Sequence, residues 1–190
     1  MRIITGRARG THLYTLEGDA TRPTSERAKA AVFSMLQFEV RDKHVLDLFA
    51  GSGQMALEAI SRGARSAVLV DASSKAVDII KKNVQKTHFE AECRVLCADY
   101  ADYLKSCRET FDLVILDPPY AKRLVCPVLT VMLERGLLNE GATIVCESAE
   151  EDIFADHETL AGQFEIRRRA KYGAAYVTVL QYGKEDCDEQ

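Results

Sequence analysis

No run of apolar residues in this 190-residue chain approaches the length of a membrane-spanning helix, and the opening MRIITGRARG has no apolar core of the signal-peptide kind. The expectation is therefore a cytoplasmic protein with no membrane partner. Low-complexity tracts and internal repeats are missing too, which leaves a single domain over 1–190 with a sizeable core. Six cysteines are present, but no two form a CxxC pair. Without that signature no metal is expected, and Cys93, Cys97 and Cys146 read as small hydrophobes inside buried strands.

An excess of positive charge is also lacking, since 25 Lys and Arg stand against 29 Asp and Glu, a formal net charge of −4. Evenly spread, that balance would argue against a polyanionic partner; here the signs are segregated. Residues 184–190 read as a disordered acidic tail holding Glu185, Asp186, Asp188 and Glu189. Residues 1–16 carry Arg2, Arg7 and Arg9 and no acid, and 165–172 carry Arg167, Arg168, Arg169 and Lys171 against Glu165. By contrast, 147–158 carry six acids and no Lys or Arg.

The stretch that organises the rest is FDLVILDPPY, residues 111–120. Leu113 to Leu116 read as a buried parallel strand, being a short, continuous apolar run. Pro118 and Pro119 cannot donate to a ladder, so the strand ends there and leaves main-chain carbonyls at its carboxyl edge, where open α/β sheets bind ligands. A carboxylate at Asp117, a carbonyl at Pro118 and the ring of Tyr120 together suit a planar amino group: two acceptors for its N–H bonds and a face to stack on. A rigid turn with Asp117 as a cap is the plainer alternative.

Arg2 to Thr5 and His12 to Leu16 predict two short strands about a Gly6 to Gly10 turn, within an amino-terminal extension over 1–20. Arg7 and Arg9 lie in the turn, either as solvated edge charges or as nucleic-acid contacts. In TRPTSERAKAAVFSML, Pro23 with Thr24 or Ser25 starts a helix whose core stripe is Ala28, Ala31, Val32, Met35 and Leu36; Arg22 lies at its positive end. From His44 onward, candidate strands at 44–49, 66–71, 92–97, 111–117 and 142–147 alternate with helical stretches, which predicts a parallel sheet covered on both faces. A sixth strand near 164–170 and a seventh at 175–182 are joined too tightly for a crossover, so the last is antiparallel.

The first strand runs into VLDLFAGSGQMALEA, where Gly51, Ser52 and Gly53 form a tight turn and a helix begins at Gln54. Gly51-x-Gly53-x-x-Ala56 also satisfies a dinucleotide fingerprint, with Asp71 placed for ribose hydroxyls in either reading. Asp47, four residues before Gly51, favours a cationic amino-acid group over a dinucleotide. Asp99, after the third strand, is either an acceptor for an adenine amine or a helix cap. Three acids at successive strand ends suit S-adenosylmethionine, with its ammonium, diol and adenine and no phosphate.

On MRIITGRARG, TRPTSERAKAAVFSML, DLFAGSG, DPPY and the closing hairpin, the chain resembles the class I S-adenosylmethionine-dependent methyltransferases. Within them it is most similar to the bacterial 16S ribosomal RNA guanine-N2 methyltransferases of the RsmD type. The resemblance implies a Rossmann-like α/β fold with a seven-stranded, mostly parallel sheet in the order 3-2-1-4-5-7-6. It implies that Asp71 binds the ribose, Asp99 the adenine and the Gly51 to Gly53 loop the methionine part, with Asp117, Pro118, Pro119 and Tyr120 holding the target base. Arg7, Arg9, Arg22, Arg167, Arg168 and Arg169 are the expected RNA contacts. The implied partner is ribosomal RNA, free or in a partly assembled small subunit, met by a monomer. A DNA amino-methyltransferase shares DPPY, but this length leaves no evident target-recognition domain. A nicotinamide enzyme would leave Asp47 and DPPY unexplained, and a non-catalytic RNA-binding module would leave the strand-end acids so.

Overall fold

Strand, turn and helix alternate from His44 onward. The computed structural model describes residues 1–16, 23–119 and 122–183, with the backbone alone at 23–25. Its elements in chain order are α1 (Pro23–Met35), β1 (His44–Asp47), α2 (Gln54–Ser61), β2 (Ser66–Asp71), α3 (Ser74–Thr87), β3 (Cys93–Cys97), α4 (Tyr100–Ser106), β4 (Phe111–Leu116), α5 (Val125–Glu134), β5 (Leu138–Ser148), α6 (Glu158–Ala161), β6 (Phe164–Tyr172) and β7 (Ala175–Tyr182). The strands form one Rossmann-like sheet in the order β3-β2-β1-β4-β5-β7-β6. Neighbours among β1 to β5 are parallel, and β7 runs against both β5 and β6.

Side chains of successive strand residues point to opposite faces, and both faces are dry. Val45, Leu69, Leu113 and Ile115 pack with Val32 and Phe33 of α1, Leu57 and Ile60 of α2, and Ile80 of α3. Leu46, Val68, Val114 and Leu116 pack on the other side with Leu104 of α4 and Leu129 and Met132 of α5. This double burial makes β4 a continuous apolar run. At the edge the rule lapses: β3 has a partner on one side only. Cys93 is accordingly half-buried and Cys97 exposed, against the expectation of burial, while Cys146 on β5 is buried. Cys187 and the acidic tail at 184–190 lie outside the described residues.

Two elements differ from expectation by more than a residue or two at an end. β5 begins at Leu138 and not at 142, because Phe111 pairs with Leu138 and Leu113 with Thr143, with a register shift between them. Gly141 (φ 69°) lies in that bulge, and the polar Asn139 and Glu140 hide it from the apolar pattern. The amino-terminal hairpin has one bridge, Arg2 to His12, its arms joined by Ile3 N to the Thr11 carbonyl at 3.0 Å and Leu13 N to the Met1 carbonyl at 2.9 Å, and beyond it the main chain of Ile4, Thr5 and Tyr14 is engaged elsewhere. Glu58 of α2 accepts from Ile4 N at 2.7 Å and Thr5 N at 3.0 Å, and Arg7 N donates to the Ser61 carbonyl at 2.9 Å. A Cβ on Gly6 (φ 87°) would lie 1.8 Å from that carbonyl, so only glycine permits so close an approach.

Beneath the segment lies a buried charge network. Glu58 also accepts from Arg62 Nε at 2.7 Å and lies 3.8 Å from Lys29 Nζ, which donates to the Arg2 carbonyl at 2.7 Å. Burial lowers the Lys29 pKa, opposed by the charge of Glu58. Among the described residues, no helix is long and apolar enough to cross a membrane.

Candidate active site

The carboxyl ends of β1 to β5 open into a cleft of about 620 Å³. Sequence spacing brings Asp47, Gly51, Ser52, Asp71, Asp99, Asp117, Pro118 and Pro119 to it, since each lies at or just beyond a strand end on the same edge of the sheet. Among the described residues, its lining includes five carboxylates, from Asp47, Asp71, Asp99, Asp117 and Glu147, and one lysine, Lys122. A pyrophosphate would meet mostly negative charge there, so a dinucleotide is disfavoured on electrostatic grounds. A cationic ligand is favoured on the same grounds.

The turn after β1 is fixed from three directions. Gly51 N donates to Asp71 Oδ2 at 2.8 Å, and Ser73 N to Asp71 Oδ1 at 2.8 Å, so Asp71 ties the glycine loop to the start of α3. Each oxygen keeps a second lone pair for a hydroxyl. Gly53 (φ 75°) stands where a Cβ would meet Leu69 Cδ2 at 3.0 Å and Ile80 Cγ2 at 3.3 Å, so both backbone angle and space require glycine. From the third side, the fully buried Asn83 donates to the Ser52 and Tyr14 carbonyls, both at 2.9 Å, and accepts from Tyr14 N at 2.7 Å. Through that contact the amino-terminal segment reaches the cleft, where Met1 and Thr15 line the wall.

Asp47 is the buried acid of the set, 2% exposed, and accepts from Ala56 N at 3.3 Å. Burial pushes its pKa up to about 7, the Ala56 N–H opposes this, and the charge of Asp71 adds to it. Asp99 is exposed and caps α4 by accepting from Ala101 N at 2.8 Å, so the capping role is realised at the cleft wall. Beside it, Phe49 and Tyr100 form an aromatic pair with centroids 5.5 Å apart, and both line the cleft. Neither carries a local signal in the sequence, because one aromatic follows a buried strand and the other opens a helix, positions that read as core.

A second cavity of about 80 Å³ adjoins the cleft, bounded by the start of α5, the end of β5 and the following loop to His157. Pro118, Pro119, Leu124 and Glu147 line both spaces, so the two prolines after Asp117 stand at their junction. Tyr120 lies outside the described residues, as does Arg22.

The arginines expected to contact RNA do not all lie on the same edge of the sheet. Arg7 pairs with Glu92 and lies over the Phe89 ring at 4.5 Å, next to the end of α2 and the start of β3. That is the amino edge of the sheet, because α2 starts at the carboxyl edge and runs back. The turn carrying Arg7 and the exposed Arg9 thus faces away from the cleft, with Met1 and Thr15 at its other end. Arg167 makes a two-pronged pair with Glu39, at 2.6 and 2.8 Å. Arg168 is exposed. Arg169 donates to Asp152 at 3.1 Å, and Lys171 lies over the Tyr176 ring at 5.0 Å. The last two belong to the carboxyl edge, since Asp152 lines the smaller cavity and Tyr176 pairs with Ser148.

Comparison with known proteins bears on this geometry. The sequence profile of the family described as conserved hypothetical protein 95 matches residues 1–181. A Bacillus subtilis protein with the provisional name rRNA methyltransferase YlbH is 33% identical over 184 residues, 95% of this chain and 98% of that one. The ribosomal RNA small subunit methyltransferase D of Haemophilus influenzae is 32% identical over 154 residues, 80% of each chain. Among solved structures, an Escherichia coli protein provisionally named the methyltransferase yhhF superposes with a TM-score of 0.85 at 27% identity, covering 97% of this chain and 99% of that one.

Proposed function

Because the chain belongs to the conserved hypothetical protein 95 family and is a homologue of the small-subunit ribosomal RNA methyltransferases D, we propose that it is an S-adenosylmethionine-dependent RNA methyltransferase acting on the exocyclic N2 amine of a guanine in small-subunit (16S) ribosomal RNA. The observation that carries this is the placement of Pro118 and Pro119, directly after Asp117, where the cleft meets the smaller cavity, so that a cofactor in the cleft and a flipped base entering through the junction would meet beside Asp117.

The residues fit S-adenosylmethionine. Asp47 would meet the ammonium and Asp71 the two ribose hydroxyls, while the paired rings of Phe49 and Tyr100 would offer the adenine an aromatic wall, with Asp99 beside them. When bound, this group supplies a methyl on a sulfonium centre, activated for direct displacement. Asp117 and the Pro118 carbonyl each accept one N–H of the target amine, which draws the nitrogen lone pair out of ring conjugation and aims it across the junction. A carboxylate, with a pKa of roughly 4, is too weak a base to deprotonate the amine beforehand. Asp117 takes the proton as the nitrogen becomes cationic. Tyr120 is proposed to stack on the base once it has left the RNA helix.

Asp47 makes cofactor binding pH-dependent. Its folded pKa is raised from 3.8 to about 7, so the folded protein holds a proton that the unfolded chain releases. The stability this gives is present below pH 4 and is lost as pH rises toward 7. The cofactor's ammonium prefers the ionised form. Affinity should therefore rise by up to about tenfold per unit between pH 5.5 and 7, then level off. Calorimetry across that range checks it; Asp47→Asn should weaken binding and flatten the profile. A flat wild-type profile would detach Asp47 from the ammonium.

For the RNA, the proposed rim is Lys122, Arg123, Arg169 and Lys171 at the carboxyl edge. Arg169→Ala with Lys171→Ala should flatten the salt dependence of log affinity by about 1.4 to 1.8, two phosphate contacts at roughly 0.7 to 0.9 each. Arg7→Ala with Arg9→Ala should change it by less than about 0.5 on the same scale. RNA binding measured across a salt series decides, and the reverse ranking would return the recognition surface to the amino-terminal turn. The whole reading is tested in cells: small-subunit RNA from a strain lacking the gene should have lost one N2-methylguanosine, and an unchanged pattern overturns it.

A further inference from the structure

We propose that Glu147, at the carboxyl end of β5, selects guanine by accepting the N1–H of the target base; this rests on the guanine-N2 reading above. Leu116 and Cys146 are the last register pair of the β4–β5 ladder, so Asp117 and Glu147 leave adjacent strands side by side at the carboxyl edge. Glu147 is also paired with Val177 of β7, which fixes its backbone from the other side. Ser148 Oγ donates to the Glu150 carbonyl at 2.6 Å and holds the turn that follows. Among the described residues, Pro118, Pro119, Leu124 and Glu147 line both the cleft and the smaller cavity, and of these only Glu147 is ionisable.

In the proposed pose a base whose amine is held by Asp117 and Pro118 lies across that junction, with Glu147 facing the ring nitrogen on the Watson–Crick side of the amine, N1 in guanine, and not N3 on its other flank. The three amine-bearing bases differ there. Guanine presents N1–H, a donor, beside its N2 amine, whereas adenine N1 and cytosine N3 are acceptors beside theirs. A carboxylate accepts from the first and sets lone pair against lone pair with the other two. Asp117 and Pro118 grip any aromatic amine, and so cannot distinguish the three. Each oxygen of a carboxylate has two lone pairs, so a carboxylate that already has a contact within the protein can accept a further hydrogen bond. N1 keeps its proton throughout. The hydrogen bond only shifts electron density toward N2, which favours the nucleophile as well as the right base.

The test is single-turnover methylation of small ribosomal subunits from a strain lacking the gene, at saturating S-adenosylmethionine, with the product nucleoside identified by mass spectrometry. Glu147→Ala should slow N2-methylguanosine formation by roughly 100-fold, since a donor held in the site loses its partner. Glu147→Gln, whose amide oxygen still accepts N1–H, should stay within about tenfold of wild type. Dissociation constants for S-adenosylmethionine should remain within about twofold for both. Wild-type rate in Glu147→Ala, with N2-methylguanosine as the product, overturns the role of Glu147 and leaves the guanine reading intact. A rate loss matched by an equal loss of cofactor affinity overturns it too, by moving Glu147 to the cofactor. A wild-type product other than N2-methylguanosine overturns the guanine reading, and this inference with it.

Discussion

Asp117→Ala is expected to lower the single-turnover rate by about 100- to 10,000-fold while leaving S-adenosylmethionine affinity within about twofold of wild type. The expected split follows from where the side chain acts. Asp117 lies at the end of β4, on the side of the cleft that meets the smaller cavity, while Asp47, Gly51 and Asp71 occupy the ends of β1 and β2. Its interaction with the target amine strengthens as the nitrogen becomes cationic, so the loss falls on the chemical step. Asp117→Asn, which keeps one acceptor oxygen but no charge, should fall between. Rapid-quench measurement at saturating RNA gives the rate and calorimetry the affinity. A near wild-type rate in Asp117→Ala would show that the amine is activated by another group.

Glu58→Ala is expected to cost about 3–5 kcal/mol of folding stability, because it leaves the Lys29 ammonium buried without its carboxylate and strips the acceptor from two main-chain donors and an arginine. For a chain of this length the midpoint of thermal unfolding should drop by about 2–4 °C for each kcal/mol. Replacing Glu58 and Lys29 together by Gln and Met should cost less than Glu58→Ala alone, since no buried charge then lacks a partner. Cofactor affinity should fall with Glu58→Ala as well: the segment that Glu58 clamps through Ile4 and Thr5 carries Met1 to the wall of the cleft. Urea unfolding measures the first effect. A loss under about 1 kcal/mol would mean that water enters and solvates the lysine, so that the network is not a dry clamp.

What was legible along the chain was whatever repeats with the period of a strand or breaks it. The apolar runs of β1, β2 and β4, each ending in an acid or a glycine turn, mark the sheet and its ligand-binding edge, because parallel strands buried on both faces admit few polar residues. The reversed β7 followed from a connection too short to cross over. Contacts between distant residues were not legible. Arg167 meets Glu39 across 128 residues, and Asn83 meets Tyr14 across 69, neither with a local signal. The charge of Arg7 was plain, but which edge of the sheet its turn faces depends on Ser61 accepting its N–H. Glu147 was hidden in a run of acids. Only the fold separates it from its neighbours, by setting it next to Asp117.

The most direct measurement of the proposed reaction uses purified protein, methyl-labelled S-adenosylmethionine and small ribosomal subunits from cells lacking the gene, with the RNA then digested to nucleosides and separated. One labelled nucleoside, N2-methylguanosine, is expected from the wild type and none from Asp117→Ala. Label in N6-methyladenosine or in a ring-methylated guanosine, or no label at all in the RNA, would contradict it.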